Sequence, residues 1–295
     1  MNKADMTAKI AAGDGFIAAL DQSGGSTPKA LRAYGVSDDQ WEGDEEMFAR
    51  IHEMRSRIIQ SPSFSGKKVV GAILFERTMD GKVGGKTTPQ ALIDKGVVPF
   101  IKIDKGLEAE ENGVQLMKPM PDLDALLERS GALGVFGTKE RSVINSANAQ
   151  GIADIVAQQF EIGRQVISHG MMPILEPEYS ITSEGRAEGE EMLKDEILRH
   201  LDQLPEGQQV MLKLSIPAVP GVYKELLEHP KVLKLVALSG GYERSEACEH
   251  LAENPGMIAS FSRALLNDLR AQMTDEEFDA SLAAAIDEIH CASVA

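Results

Sequence analysis

Lys213 stands in the run Val210-Met211-Leu212-Lys213-Leu214-Ser215, and side chains of an extended strand alternate between its two faces. It then points the same way as Met211 and Ser215, while Leu212 and Leu214 face the opposite layer. An inward lysine among apolar walls loses hydration, which disfavours the ammonium and leaves a fraction as free amine able to attack a carbonyl. The same placement is equally compatible with a structural ion pair to an inward carboxylate. Glu176 and Glu178, in Leu175-Glu176-Pro177-Glu178, share strand parity and should project to one side. Their repulsion should raise one pKa, setting an acid that can protonate a leaving hydroxyl beside a charged neighbour; the plainer reading is a pair of solvated glutamates at a proline-capped strand end. Asp21 precedes Gln22-Ser23-Gly24-Gly25-Ser26. It either caps the following turn or serves as a carboxylate base, with Ser23 and Ser26 as hydroxyl donors to a phosphate.

A second set of residues suits an anion. Ser239-Gly240-Gly241 is either a simple tight turn or a backbone nest whose N–H groups converge on a phosphate. Arg263 follows the last apolar segment at the start of a helix, where it could hold the same anion bidentately. Lys105, Lys139 and Arg141 lie at the ends of two other segments. Each alone reads as a solvated cation, but with Lys213 and Arg263 they make five cationic positions on one rim.

Positioning these groups falls to eight short apolar segments: 15–22, 69–76, 98–104, 134–139, 172–178, 209–215, 232–241 and 257–265. They alternate with longer amphipathic stretches, as βα units around a parallel sheet do, and eight is the number that closes a (β/α)8 TIM barrel, an α/β fold. Phe48, Ile51, Met54 and Ile58 keep helical spacing, as do Ile152, Ile155, Val156, Phe160 and Gly163. Thr274 and Glu277 form a capping box ahead of a final helix with an apolar stripe of Phe278, Leu282, Ile286 and Ile289. Two longer loops, 77–97 and 106–121, follow the second and third strands. No low-complexity linker or repeat divides the chain, so residues 1–295 read as one barrel domain with N-terminal and C-terminal helical extensions. Barrel enzymes carry their working groups at the C-terminal ends of the strands, where nearly every segment here ends in an ionisable residue.

Acidic residues outnumber basic ones by 46 to 30, a net charge of −16, and no polybasic tract is present, which argues against nucleic acid as a partner. Any anionic substrate must therefore be held by local cations and backbone amides. The N-terminus lacks the apolar core of a signal peptide, and no run of about 18 apolar residues marks a membrane span. With only Cys248 and Cys291, a reducing, cytoplasmic location is expected. His52, His169, His200, His229, His250 and His290 form no closely spaced ligand pair, so no metal cofactor is expected and an imine is the better electron sink.

Taken together, IKIDKG (101–106), ILEPE (174–178), LKLSIPAVPG (212–221), ALSGG (237–241) and FSRAL (261–265) resemble class I fructose-bisphosphate aldolase. AALDQSGGST (18–27), ILFERT (73–78) and TPQALIDKGVVPFIKIDKG (88–106) extend the resemblance in the family's order over nearly the whole chain. Length and style are closer to the short bacterial branch than to the animal enzymes. The resemblance implies reversible cleavage of fructose 1,6-bisphosphate to dihydroxyacetone phosphate and glyceraldehyde 3-phosphate, in glycolysis and gluconeogenesis, through a Schiff base and without a metal. Tagatose or sedoheptulose bisphosphate would take the same chemistry. A non-catalytic phosphate-binding barrel would need none of the inward ionisable groups. The implied partner is a phosphorylated sugar, and a homo-oligomer is allowed.

By that resemblance Lys213 is the Schiff-base lysine and Asp21 acts on the C4 hydroxyl. Lys139 assists carbinolamine chemistry, Glu176 is the acid that helps expel water, and Glu178 is the carboxylate beside the Schiff-base lysine. Lys105, Ser239, Gly240 and Arg263 match substrate-binding positions, with Ser23, Ser26 and Arg141 at the other phosphate end. The chain departs from the animal enzymes at three places. It ends Cys291-Ala292-Ser293-Val294-Ala295 where they have a tyrosine that aids proton transfer, so another group must serve. Glu140 replaces a tryptophan, and Gln22 a glutamate, which should alter contacts at those rims.

Overall fold

A computed structural model describes residues 1–295. Its strands are β1 (Phe16–Leu20), β2 (Val69–Leu74), β3 (Val98–Lys102), β4 (Gly137–Ile144), β5 (Met172–Tyr179), β6 (Val210–Ser215), β7 (Val232–Leu238) and β8 (Ile258–Ala259). They pair in parallel in that order. The circle closes between its two ends through a backbone hydrogen bond from Ala19 N to Phe261 O of 3.2 Å. The fold is a (β/α)8 barrel whose eighth strand is far shorter than its sequence segment.

Alternation along the strands divides the apolar residues into two clusters. Ile17, Val98, Phe100, Ile174, Met211, Val236 and Ile258 fill the barrel interior together with Met6 and Ile10. Those last two belong to α1 (Lys3–Ala12), which closes the bottom of the barrel. The helix starts at a reciprocal Asn2–Asp5 capping box and ends at Gly13 in the left-handed region, φ 69°. Leu20, Leu74, Ile101, Leu175, Leu212, Leu214 and Ala237 belong to the outer layer, packed under the helices. Because α1 and apolar side chains occupy the lower barrel, the polar inward residues that can face a ligand lie at the C-terminal mouth.

The helices are α2 (Ser26–Ala33), α3 (Gly43–Gln60), α4 (Glu76–Asp80), α5 (Thr88–Asp94), α6 (Leu123–Ala132), α7 (Ala149–Ser168), α8 (Arg186–Gln203), α9 (Lys224–Glu228), α10 (Arg244–Ala252), α11 (Arg263–Leu266) and α12 (Asp275–Ser293). On α3, Met47, Ile51, Met54 and Ile58 are buried. The Thr274–Glu277 capping box forms, and Phe278, Leu282, Ile286 and Ile289 of α12 are buried. The stretch 77–97 is not a plain loop. It holds most of α4, a two-stranded hairpin over 82–87 and α5, the hairpin turning through Gly84 (φ 56°) and Gly85 (φ 82°). In 106–121, Val114–Gln115 adds antiparallel to the end of β4. No helix is long and apolar enough to cross a membrane.

Candidate active site

The strand ends converge on a mouth cavity of about 820 Å³. Lys213, at the fourth position of β6, is 4% exposed. Its parity is the expected one, since Met211 lies in the barrel interior and Leu212 and Leu214 in the outer layer. Lys213 Nζ lies 2.8 Å from Glu176 Oε1, and Glu176 Oε2 lies 3.0 Å from Lys139 Nζ. Lys139 Nζ in turn lies 2.6 Å from Asp21 Oδ2. Two ammoniums and two carboxylates thus alternate across the ends of β6, β5, β4 and β1. Glu176 Oε2 makes no well-directed hydrogen bond despite its short ion-pair distance, so this buried oxygen keeps unused acceptor capacity.

This alternation sets the charge states. Burial is the largest influence on Asp21 and pushes its pKa up, but Lys139 and Lys213 together outweigh it, and the carboxyl is held below its ordinary range. Glu176 follows the same balance: burial raises it, the two lysines lower it more, and it too is depressed. For Lys139 burial favours the neutral amine, yet Asp21 and Glu176 overcome this and raise its pKa. The expected raised glutamate pKa does not arise at Glu176, because the two carboxylates at this strand end are separated by cations. Glu178 bonds to Arg141 Nε at 2.5 Å. The carboxylate touching Lys213 is therefore Glu176, and the sequence-based placement of Glu178 beside that lysine is corrected.

Glu176 is fixed from behind. Gln159 of α7, 1% exposed, accepts from the Glu176 backbone N at 3.2 Å and donates to Ser142 Oγ at 2.8 Å. One side chain thereby joins the two strands that carry Lys139 and Glu176. Across β6, Ser215 Oγ donates to Tyr179 O at 2.6 Å.

The structure brings Ser239, Gly240, Arg263, Arg141, Ser23 and Ser26 to the cavity wall. After β7 the chain turns through Gly240 (φ 63°) and Gly241 (φ 127°). A Cβ on Gly240 would meet Ile181 Cγ2 at 2.4 Å, so glycine is required there by conformation and by space. Neither glycine N–H donates within the chain. Arg263 Nη2 lies 3.6 Å from where a Gly241 Cβ would stand, and its guanidinium makes no hydrogen bond or ion pair. Nest and free cation are adjacent. The helix that Arg263 opens has four residues, too short to add the dipole assistance expected from the sequence.

The other positions differ more. Ser26 Oγ is occupied in its own turn, donating to Ser23 O at 2.8 Å and accepting from Ser23 N at 3.0 Å. Arg141 is taken by Glu178. Lys105 does not line the cavity. It is exposed and pairs with Glu76 at 2.7 Å, because it lies three residues beyond β3, outside the strand's alternation. The lysine of IKIDKG that lines the cavity is Lys102, in register with Val98 and Phe100, with Nζ 2.6 Å from Asp104 Oδ1. Lys29, one helical turn after Ser26 on α2, is a second cavity cation that sequence reasoning missed, and it makes no ion pair. Strand parity would have found the first and i,i+3 spacing the second. Glu140 does not reach the rim: it faces outward with 0% exposure, between β4 and α7.

The sequence model of the family described as "Glycolytic: Fructose-bisphosphate aldolase class-I" matches residues 3–216. That stretch carries Asp21, Lys102, Lys139, Glu176 and Lys213, and ends before the Ser239–Gly241 turn. Among solved structures, the chain is similar to the fructose-bisphosphate aldolase of Plasmodium falciparum crystallised with TRAP and a small-molecule inhibitor. Identity is 19%, covering 98% of this chain and 95% of that one, with a TM-score of 0.76. It is also similar to Cgl0159 of Corynebacterium glutamicum, at 14% identity over 98% of this chain and 92% of that one, with a TM-score of 0.55. At these identities the structural likeness speaks to the fold; the family match, spanning more than half of the chain, shows that this protein belongs to the class I fructose-bisphosphate aldolase family.

Proposed function

We propose that this protein is a Schiff-base aldolase that cleaves fructose 1,6-bisphosphate to dihydroxyacetone phosphate and glyceraldehyde 3-phosphate, with Lys213 as nucleophile and no metal. The observation that carries the reading is the contact of Lys213 Nζ with Glu176 Oε1 at 2.8 Å in a buried mouth that also holds Lys139 and Asp21. A purely structural ion pair needs one carboxylate and one ammonium. Two of each, alternating and open to a cavity, can pass protons between several atoms of one substrate.

Each step has a group within reach. Glu176 takes a proton from the Lys213 ammonium, and the freed amine adds to the C2 ketone to form a carbinolamine. Lys139 protonates the C2 oxyanion and recovers a proton from the carbinolamine nitrogen, and Glu176 returns the proton it took as the C2 hydroxyl leaves as water and the iminium forms. Asp21, ionised throughout the working range, accepts the C4 hydroxyl proton as the C3–C4 bond breaks. Its electron pair moves into the iminium, leaving an enamine on Lys213, and glyceraldehyde 3-phosphate departs. Protonation at C3 and addition of water then release dihydroxyacetone phosphate and restore the amine. The Ser239–Gly241 turn and Arg263 receive one phosphate. Ser23 and Lys29 receive the other, and Lys102 takes the place first given to Lys105.

Borohydride tests this. It reduces an imine to a stable secondary amine, so enzyme treated with dihydroxyacetone phosphate and borohydride should carry one adduct per chain, mapping to Lys213. Borohydride alone should leave the chain unmodified, and Lys213→Met, which roughly conserves volume, should fold and trap nothing. An adduct on Lys102 or Lys139, or cleavage without any trappable lysine, would refute the assignment. Relative rates on fructose, tagatose and sedoheptulose bisphosphates would test the choice of sugar.

A further inference from the structure

Arg55 projects from the middle of α3 with 0% exposure. Its Nη1 donates to Thr78 Oγ1 at 2.7 Å, and its Nη2 donates to Gln22 O at 2.5 Å and to Gln22 Oε1 at 3.0 Å. Every one of these acceptors is neutral, Nε has none, and no carboxylate lies within ion-pair distance. Burial lowers its pKa to about 10, with Asp21 acting in the opposite sense, so the guanidinium stays charged at neutral pH. A charge taken out of water without a contact counter-ion is costly and calls for compensation. Asp21 offsets it only at a distance, because its carboxylate is in contact with Lys139 at 2.6 Å.

The compensating space lies on the other side of the Gln22–Ser26 turn. Gln22, Ser23, Ser26 and Lys29 line the cavity there, and from Gln22 to Tyr34 no lining residue is acidic. Lys29 has no ion pair. This wall therefore presents one unpaired cation, with the Arg55 guanidinium in contact with its first residue, Gln22. Gln22 couples the layers: its Oε1 faces Arg55 while its Nε2 donates to Ser262 Oγ at 2.5 Å, beside Arg263. Its other N–H is held by Ala19 O at 3.3 Å, so the pull of Arg55 on the amide oxygen reaches the cavity through the Ser262 hydroxyl.

We propose that Arg55 is a buried counter-charge for the second anionic group of the substrate, bound outside the Gln22–Ser26 turn, and that it sets a preference for a ketose bisphosphate over a ketose monophosphate. The proposal rests on the aldolase reading above. Arg55 touches no reacting atom; it is a positioning residue that acts through Gln22 and through its field.

The test is the ratio of kcat/KM for fructose 1,6-bisphosphate to that for fructose 1-phosphate, measured on one protein sample so that any change in folded fraction cancels. Arg55→Met should lower this ratio about tenfold, whereas Arg55→Lys, which keeps the charge, should retain most of it. Should Arg55→Met fail to fold, Arg55→Gln replaces it, because it keeps hydrogen-bonding capacity toward Thr78 and Gln22 while removing the charge, and it should lower the ratio by a similar factor. Borohydride trapping with dihydroxyacetone phosphate, run on the same samples, should persist in each variant. An unchanged ratio in Arg55→Met or Arg55→Gln overturns the proposal, as does a fall in Arg55→Lys as large as in Arg55→Met. Failure of the unsubstituted protein to trap dihydroxyacetone phosphate would instead overturn the aldolase reading beneath it.

Discussion

Glu176 lies against Lys213 with Oε1 2.8 Å from Nζ, and both side chains are nearly devoid of solvent contact. The carboxylate is shared, since its other oxygen lies beside Lys139. Removing it would leave two buried ammoniums near each other with only Asp21 between them. Glu176→Gln should therefore cut kcat by about 100- to 10,000-fold, the usual range for a general acid–base group, with little change in KM. Loss of one partner from a buried ionic cluster should also cost about 3–5 kcal/mol of stability. Steady-state kinetics with a denaturant titration would check both. A variant that kept its kcat would show that Glu176 only holds the lysines in place.

Two buried carboxyls should act on stability in opposite pH directions. Asp21 is depressed in the folded protein, so its contribution is present above the unfolded value near 4 and is lost as pH falls through the folded one. Glu140 is raised well above its ordinary value, chiefly by burial, with one oxygen unpartnered. Its contribution is full below about 4.3 and declines as pH rises toward the folded pKa. Glu140→Gln escapes that decline. Its melting temperature relative to wild type should thus climb between pH 4 and pH 8, by about 2–4 °C for each kcal/mol of proton linkage. A difference that stayed constant with pH would mean that Glu140 is not held neutral.

Arg263 offers a cleaner separation of binding from folding. Its guanidinium is exposed and has no partner in the chain, so Arg263→Ala should leave the denaturation midpoint unchanged. If it receives a phosphate next to Gly240 and Gly241, kcat/KM should fall about 10- to 100-fold. A shift in stability with unchanged kinetics would point to a packing role instead.

Much of this site was legible in residue type and strand parity. Met211, Lys213 and Ser215 point inward because a strand has a period of two, and the same rule placed Glu176. What parity alone could not provide was which neighbouring strand supplies each counter-charge. The β4–β5 register sets Lys139 opposite Ile174 and Arg141 opposite Glu176, and side-chain directions then give Glu176 to Lys139 and Glu178 to Arg141. Register depends on long-range pairing that a single sequence does not display. Arg55 is illegible for a related reason: among the charged residues of α3 nothing in its spacing distinguishes a buried arginine from an exposed one. The shortness of β8 was hidden because Met257, Phe261 and Leu265 continue the apolar pattern into a turn and a short helix.

The two lysines of Lys102-Ile103-Asp104-Lys105 provide the sharpest comparison between a motif and its geometry. Lys102 ends β3, shares parity with Val98 and Phe100, lines the cavity and pairs with Asp104 at 2.6 Å. Lys105 is exposed on the outer side and pairs with Glu76, which is itself shared with Arg129. An exposed pair of that kind is worth at most about 1 kcal/mol. Lys105→Met should therefore leave kcat and KM within about twofold of wild type and stability within that 1 kcal/mol. Lys102→Met removes a cation from the cavity and strands the Asp104 carboxylate, so kcat/KM should drop about 100-fold, with trapping by borohydride still mapping to Lys213. Assays of both variants on fructose 1,6-bisphosphate, with peptide mapping of the trapped adduct, decide the matter. If Lys105→Met proved the damaging change and Lys102→Met the silent one, the loop after β3 would have to rearrange on binding substrate, and the side-chain placement described for this wall of the cavity would not be the working one.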